Sequence, residues 1–269
     1  MKTKILITVK TYPSISTKYK ELVCTAGFTD KGKWIRIYPV PFRKLDYSTQ
    51  YKKYDWIELD LVKNSSDFRP ESFRTTNPDR ITICGHVGTD HNWAERKRLV
   101  LGKVYYNLSE LIAEAKDKKQ MTSLAVFKPK KIIDFVCEDT ERDWPRDKKE
   151  IFSQMNIFEK AGDELKIVKK LPYKFSYVFQ DIQGIKSKMM IEDWETGQLY
   201  WRMLEKHTGD EKKAWNDVKK KYLEDFAKTK DLYFFLGTTK EHHFVAKNPF
   251  IIIGTFHPAV ELQTSLDLL

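Results

Sequence analysis

The sequence predicts an α+β protein in which a β-rich N-terminal half closes as a small barrel or strongly curved sheet and a smaller α+β unit follows. Three observations carry this prediction. Short β-branched or aromatic runs separated by turn residues crowd the first third of the chain, and helical periodicity is confined to a few segments. A hydrophobic content of 41% over 269 residues is also enough for a sizeable core without disulfide support.

In chain order, residues 4–10, 21–28, 33–38 and 55–62 read as strands. The DKGK segment at 30–33 joins the second and third as a hairpin, because Gly32 tolerates the positive φ such a turn requires. Residues 64–80 are polar with two prolines and read as a long surface loop, and 81–87 as a further strand. A closed barrel is the natural way to satisfy so many short edges. Helices are expected at about 92–103 and at 109–118, the latter capped by Ser109 with Leu111, Ile112 and Ala115 at helical spacing. Residues 123–139 read as one or two strands around Pro129. The charged stretch that follows, with Pro145, reads as a connector leading to a helix.

The second unit begins with a hairpin, 174–179 and 186–192, turning at DIQG. Helices follow at 194–206 and 211–228, and strands at 231–238 and 248–256 close the unit. The last strand is almost wholly apolar, so it is expected to be central and buried on both faces. The expected division is a β-rich domain at 1–140, a connector at 141–164 and an α+β domain at 165–269.

Cys24, Cys84 and Cys137 are odd in number, far apart and without CxxC spacing, which argues against a disulfide framework or a cysteine zinc site and fits a reducing, cytoplasmic setting. The basic start MKTK soon meets Thr8 and Lys10, too early for a signal-peptide core, and no apolar run approaches the roughly 18 residues of a membrane span. A membrane partner is therefore not expected.

The formal net charge is +10, and its placement is uneven. Residues 1–50 hold ten Lys/Arg against three acids, an excess of seven. Clustered cations neutralise several phosphates together and release their counterions, so this block points to a polyanion. Within it, KWIRIY alternates between faces: Lys33, Ile35 and Ile37 on one, Trp34, Arg36 and Tyr38 on the other. A Trp-Arg-Tyr row is the kind of surface on which single-stranded bases stack while arginine meets phosphate. The expected contact strip is Lys10, Tyr12, Lys33, Trp34, Arg36, Tyr38 and Arg43. The same rings are also suited to a core, with Arg36 then reaching out of the barrel or pairing with an acid.

The phrase formed by Cys24, Ala26, Gly27, Gly32, Trp34, Ile35 and Arg36 resembles the dual OB-containing domain family of prokaryotic conflict and anti-phage systems. The resemblance spans about fifteen residues of the N-terminal half and departs at YPVPFR. It implies one or two OB-like barrels that bind nucleic acid or a nucleotide, with antiviral defence as the setting and a protein partner in a defence complex. The second half resembles uncharacterised bacterial proteins and implies no function.

A second constellation is acidic: Asp181 at the hairpin turn, then Glu192, Asp193 and Glu195. Converging carboxylates could hold Mg²⁺ for phosphodiester cleavage, with Lys186 or Lys188 on the phosphate. The simpler reading makes Glu192 or Asp193 the cap of the following helix, with acids favoured in its first turn. His86, His91 and Cys84 lack the paired spacing of structural zinc sites, and His242 and His243 are adjacent in a loop where their side chains point apart. Cys24 lies in a strand and suits a small buried hydrophobe better than a nucleophile. No P-loop, GxSxG, HExxH or GxGxxG occurs. Nucleic-acid binding through the strip, preferentially of single strands and without a cofactor, is the leading expectation. A metal-dependent nuclease built on the acidic set is the alternative, and only that reading brings in Mg²⁺.

Overall fold

The computed structural model describes residues 2–16, 20–157 and 167–261. Seven strands make the first unit: β1 (Lys2–Lys10), β2 (Ser14–Ser16), β3 (Lys20–Thr29), β4 (Trp34–Val40), β5 (Asp55–Lys63), β6 (Ser72–Thr75) and β7 (Thr82–His86). β1, β3, β4, β6 and β5 pair in that order, and β5 pairs back onto β1, so five strands close a barrel. All contacts in the ring are antiparallel except β4 with β6. This is an OB-like Greek-key barrel, with β7 added on the outer edge of β5. The alternation expected in the strands is present: Ile5, Ile7, Val23, Ile35, Ile37, Ile57, Leu59 and Leu61 fill the interior. Phe42, Leu45 and Tyr51 from the β4–β5 connection join the same core. Gly27 is required where β3 crosses β1, since a Cβ there would sit 1.9 Å from the Leu6 carbonyl oxygen.

The polar segment read as one long loop contains β6, the strand that closes the barrel. Next come α1 (Asp90–Val100), whose start at His91, Asn92 and Trp93 is left-handed, then β8 (Val104–Tyr105) and α2 (Leu108–Lys116). The cap of α2 is Asn107, two residues before the expected Ser109, and its side chain accepts from the Ser109 and Glu110 amides.

The remaining elements are β9 (Leu124–Phe127), β10 (Lys131–Asp139), α3 (Arg146–Ile157), β11 (Tyr173–Gln180), β12 (Lys186–Met190), α4 (Trp194–Lys206), α5 (Glu211–Lys219), β13 (Tyr233–Thr238) and β14 (Phe250–Phe256). α5 runs on into π-helical turns at Lys220–Ala227. The expected hairpin, two helices and two closing strands are all present. β10, β11 and β12 form an antiparallel sheet, and β9, β13 and β14 another, with β8 beside β9. A parallel bridge between Ile191 and Ile252 and a 2.8 Å bond from the Glu192 amide to the Ile252 carbonyl join the two sheets. With β9 and β10 taken as one strand bent at Pro129, the order repeats that of the first barrel, and α4 and α5 lie between its third and fourth strands. Residues 124–139, expected in the first domain, thus belong to the second unit, because their partners are β11 and β13. β14 is buried almost throughout, as its composition predicts.

The two units share an apolar interface. Leu6, Ala26, Phe28 and Trp34 on the outer face of the first barrel pack against Leu124, Val126, Phe235, Ile253 and Phe256 of the second. Full burial of each large side chain is worth roughly 1.5–3 kcal/mol, so this face is committed to the intramolecular contact.

Candidate nucleic-acid interface

Most of the expected contact strip turns inward. Arg36 is 2% exposed and donates to Ser123 Oγ at 2.7 Å, the Ser123 carbonyl at 3.1 Å and the Thr238 carbonyl at 3.4 Å. Burial, with Arg69 nearby, lowers its pKa from the ordinary guanidinium value. Trp34 packs on Phe28, with ring centroids 3.9 Å apart, and edge-on to Phe235 at 5.7 Å. Tyr38 is half-buried, and its carbonyl accepts from Asn64 Nδ2 at 3.3 Å. Lys10 is 8% exposed, lies over the Phe42 ring at 4.3 Å and donates to the Tyr51 carbonyl. Burial, helped by Lys53, brings its pKa down to about 8. Tyr12 is half-buried, donating to the Lys169 carbonyl at 2.8 Å and accepting from Trp201 Nε1 at 2.7 Å. Arg43 is paired with Glu21 at 2.5 Å. Lys33 alone of the seven is exposed, at the β3–β4 turn. The strip therefore forms no continuous outward face, because the second barrel covers the side of β4 that carries Trp34 and Arg36.

The acidic set does not converge either. Asp181 is buried and accepts from the Gln183 and Ile185 amides at 3.0 Å and the Leu108 amide at 3.2 Å, so its carboxylate ties the hairpin turn to α2. Asp193 and Glu195 both bind Lys53 Nζ at 2.9 Å. Burial alone would neutralise Lys53, but the two carboxylates hold it charged, above its ordinary value. The Glu192 backbone takes part in the β12–β14 junction, and its side chain is exposed. Asp193 sits at the start of α4 but makes no side-chain capping bond, since Lys53 occupies it. Among the described residues no group of three His, Cys, Asp or Glu is placed to hold a metal ion.

What the structure does present outward was not singled out in the sequence. The loop between β5 and β6 (64–71) and the loop between β13 and β14 (239–249) are equivalent, each joining the fourth and fifth strands of its barrel. At their tips Phe68 and Phe244 stack on each other, centroids 5.0 Å apart at 26°, and remain 39% and 41% exposed. The adjacent Val245 is 80% exposed. Such strand-4–5 loops are where OB barrels commonly meet oligonucleotides.

Buried polar groups anchor both loops. Beside Phe68, Arg69 binds the Asp67 carboxylate through Nε at 2.9 Å and Nη2 at 2.6 Å, and reaches across to the Thr238 carbonyl. Burial would raise the Asp67 pKa, yet bonds from Arg69 and Ser72 hold it well below the usual carboxylate range. Beside Phe244, His243 is 0% exposed, bonded to Thr238 Oγ1 at 2.8 Å and to the Ala115 carbonyl at 2.7 Å. His242 points to solvent, so the adjacent histidines do diverge.

The bond to Ala115 sets the second loop against the end of α2, where Lys116, Lys118 and Lys119 are exposed. Lys240 and Lys247 add two exposed cations from the loop itself. Among the described residues none of these five lysines makes an ion pair, and the acids within the same two segments are Asp117 and Glu241. The legible trace was a lone aromatic among turn residues, in SSDFRP and EHHFVAK, where no core residue is expected.

A closed barrel packed against a second unit of the same strand order, with their fourth-to-fifth strand loops joined by an exposed aromatic stack, defines a two-unit α+β protein. The chain belongs to the family described as a domain of unknown function, DUF8757, which matches residues 104–268. Residues 1–102 match a second domain of unknown function, DUF8758. The two matches meet at the start of β8, between the two barrels. No curated protein matches the sequence. A murine DNA binding protein solved bound with double-stranded DNA is similar over 98% of each chain at 12% identity, with a TM-score of 0.32, too low to carry an argument. No helix among the described residues is long and apolar enough to cross a membrane.

Proposed function

We propose that the protein binds single-stranded nucleic acid across the paired loops 64–71 and 239–249. Phe68 and Phe244 stack on bases, and Lys240, Lys247 and the lysines ending α2 neutralise phosphates. The observation that carries this reading is the exposed Phe68–Phe244 stack on loops held by buried Arg69 and His243. Rings fixed in advance lose little entropy on binding, and their faces reach only unpaired bases. The resemblance of the Cys24–Arg36 phrase adds a proposed setting, prokaryotic anti-phage defence.

The test is a fluorescence-anisotropy titration with single- and double-stranded oligonucleotides. Base–aromatic stacking is worth about 1–3 kcal/mol per base, so Phe68→Ala or Phe244→Ala weakens single-strand binding roughly 5- to 150-fold. Unchanged affinity in the folded double variant refutes the proposal. Salt-sensitive binding of an acidic protein with none of nucleic acid would do the same.

A further inference from the structure

The loops that follow the first strand of each barrel also meet, in a different place. Tyr12 and Ile15 from the first barrel pack with Trp144, Phe152, Ile167 and Val168 from the β10–β11 connection of the second. Beside this small core lies a pocket of about 430 Å³, within the range of small-molecule sites.

Two indoles line it, each fixed by its own N–H. Trp144 Nε1 donates to the Val168 carbonyl at 2.7 Å, and Trp201 Nε1 to Tyr12 Oη at 2.7 Å. The Tyr12 hydroxyl in turn holds the Lys169 carbonyl. With their N–H groups bonded, both indoles hold a set orientation.

The charged lining is Arg142, Lys149, Lys169 and Lys170 against one acid, Asp143. Lys169 lies 5.3 Å from the Trp201 ring centroid and makes no ion pair among the described residues. Lys170, its side chain 17% exposed, pairs at 3.0 Å with Glu141, Lys149 pairs with Asp143, and Arg142 is held by Glu211 and Asp139, which leaves Lys169 as the cation of the lining without an acidic partner among the described residues. The Lys149–Asp143 pair is solvent-exposed on both sides and worth little, so a phosphate can replace that carboxylate at small cost.

A flat aromatic part and an anionic part are what this pocket would take together. We infer that it binds a nucleoside monophosphate unit, the base stacked on an indole and the phosphate held by Lys169 and its neighbouring cations. The unit could be a free mononucleotide or the 5′-phosphorylated end of a strand. This site does not depend on the loop pair at Phe68 and Phe244.

The experiment is calorimetry of the full chain with AMP, adenosine, ribose 5-phosphate and inorganic phosphate. AMP is expected to bind saturably and to exceed each of the other three by about tenfold or more. Lys169→Glu changes an exposed side chain and is expected to weaken AMP binding by at least about tenfold with an unchanged melting curve. The Phe68→Ala/Phe244→Ala variant is expected to bind AMP as the parent does, which separates this site from the loop surface. Displacement of AMP by a 5′-phosphorylated oligonucleotide, but not by its unphosphorylated form, would assign the pocket to strand ends. AMP binding with no displacement by either would assign it to the free nucleotide. The inference is overturned if AMP does not bind, binds no better than inorganic phosphate, or binds the folded Lys169→Glu variant undiminished.

Discussion

Arg36→Met separates a structural role for the guanidinium from a contact role. Methionine keeps most of the apolar stem and removes the charge with its three bonds to Ser123 and Thr238. Hydrogen bonds to charged groups are worth about 1.5–3 kcal/mol each, and two of the three are short enough to count fully. Two effects offset part of that loss. Removing the charge relieves burial and repulsion from Arg69, which together depress the Arg36 pKa. The Ser123 and Thr238 carbonyls also keep other donors, the Thr238 amide and Arg69. A net loss of about 3 kcal/mol is expected, or a fall in Tm of roughly 6–12 °C for a chain of this size. Urea unfolding and calorimetry measure the loss, and anisotropy measures affinity for a single-stranded oligonucleotide. Affinity is expected to hold at temperatures where the variant stays folded. Stability within about 0.5 kcal/mol of the parent, together with weakened binding, would refute the placement of Arg36 inside the seam.

The affinity for single strands should fall with salt; five lysines at about −0.7 per phosphate give a log–log slope near −3.5 when all engage, and a slope near zero contradicts phosphate neutralisation. Gly197→Ala places a Cβ 2.2 Å from Tyr12 Cδ2, so the ring must shift and lose Trp201. Overpacking of this kind costs about 1–3 kcal/mol, and an unchanged urea midpoint would count against that contact. His257 stacks on Phe226 at 3.7 Å, and burial lowers its pKa to about 4. The unfolded state then binds more protons between about 6.5 and 4, so this residue's contribution is present above 6.5 and lost as pH falls through that window. Asp193, which burial raises above the ordinary carboxylate value, acts in the opposite sense. His257→Gln is therefore expected to stabilise the protein at pH 5 relative to pH 7 when compared with the parent, and equal pH profiles in urea melts would refute this.

Local pattern made the strands legible and left the interfaces hidden. The alternation in KWIRIY assigns Ile35 and Ile37 to one face and Trp34 and Arg36 to the other, as observed. Which outer face is covered depends on Leu124, Phe235 and Ile253, and no signal near residue 36 reports them. β6 was missed because SFRT is short and polar, and it exists through its neighbours Arg36–Ile37 and Leu61–Lys63. The second barrel was seen as separate pieces because its closure pairs Leu124–Phe127 with Phe234–Gly237, far away in sequence. The charge block of the first fifty residues was real in composition, yet Lys10 and Arg36 are consumed by burial and Arg43 by Glu21. The candidate surface arises where two distant loops meet, so Phe68 and Phe244 gain meaning only together.

Photo-cross-linking of a bromouridine-substituted single strand, with peptide mapping of the adducts, reports directly where nucleic acid lies on this protein. Adducts at Phe68 and Phe244, lost on substitution of either ring, are the expected result. Adducts confined to the β3–β4 turn around Lys33, or spread over the surface with 64–71 and 239–249 untouched, would show that the stacked loop pair is not where bases bind.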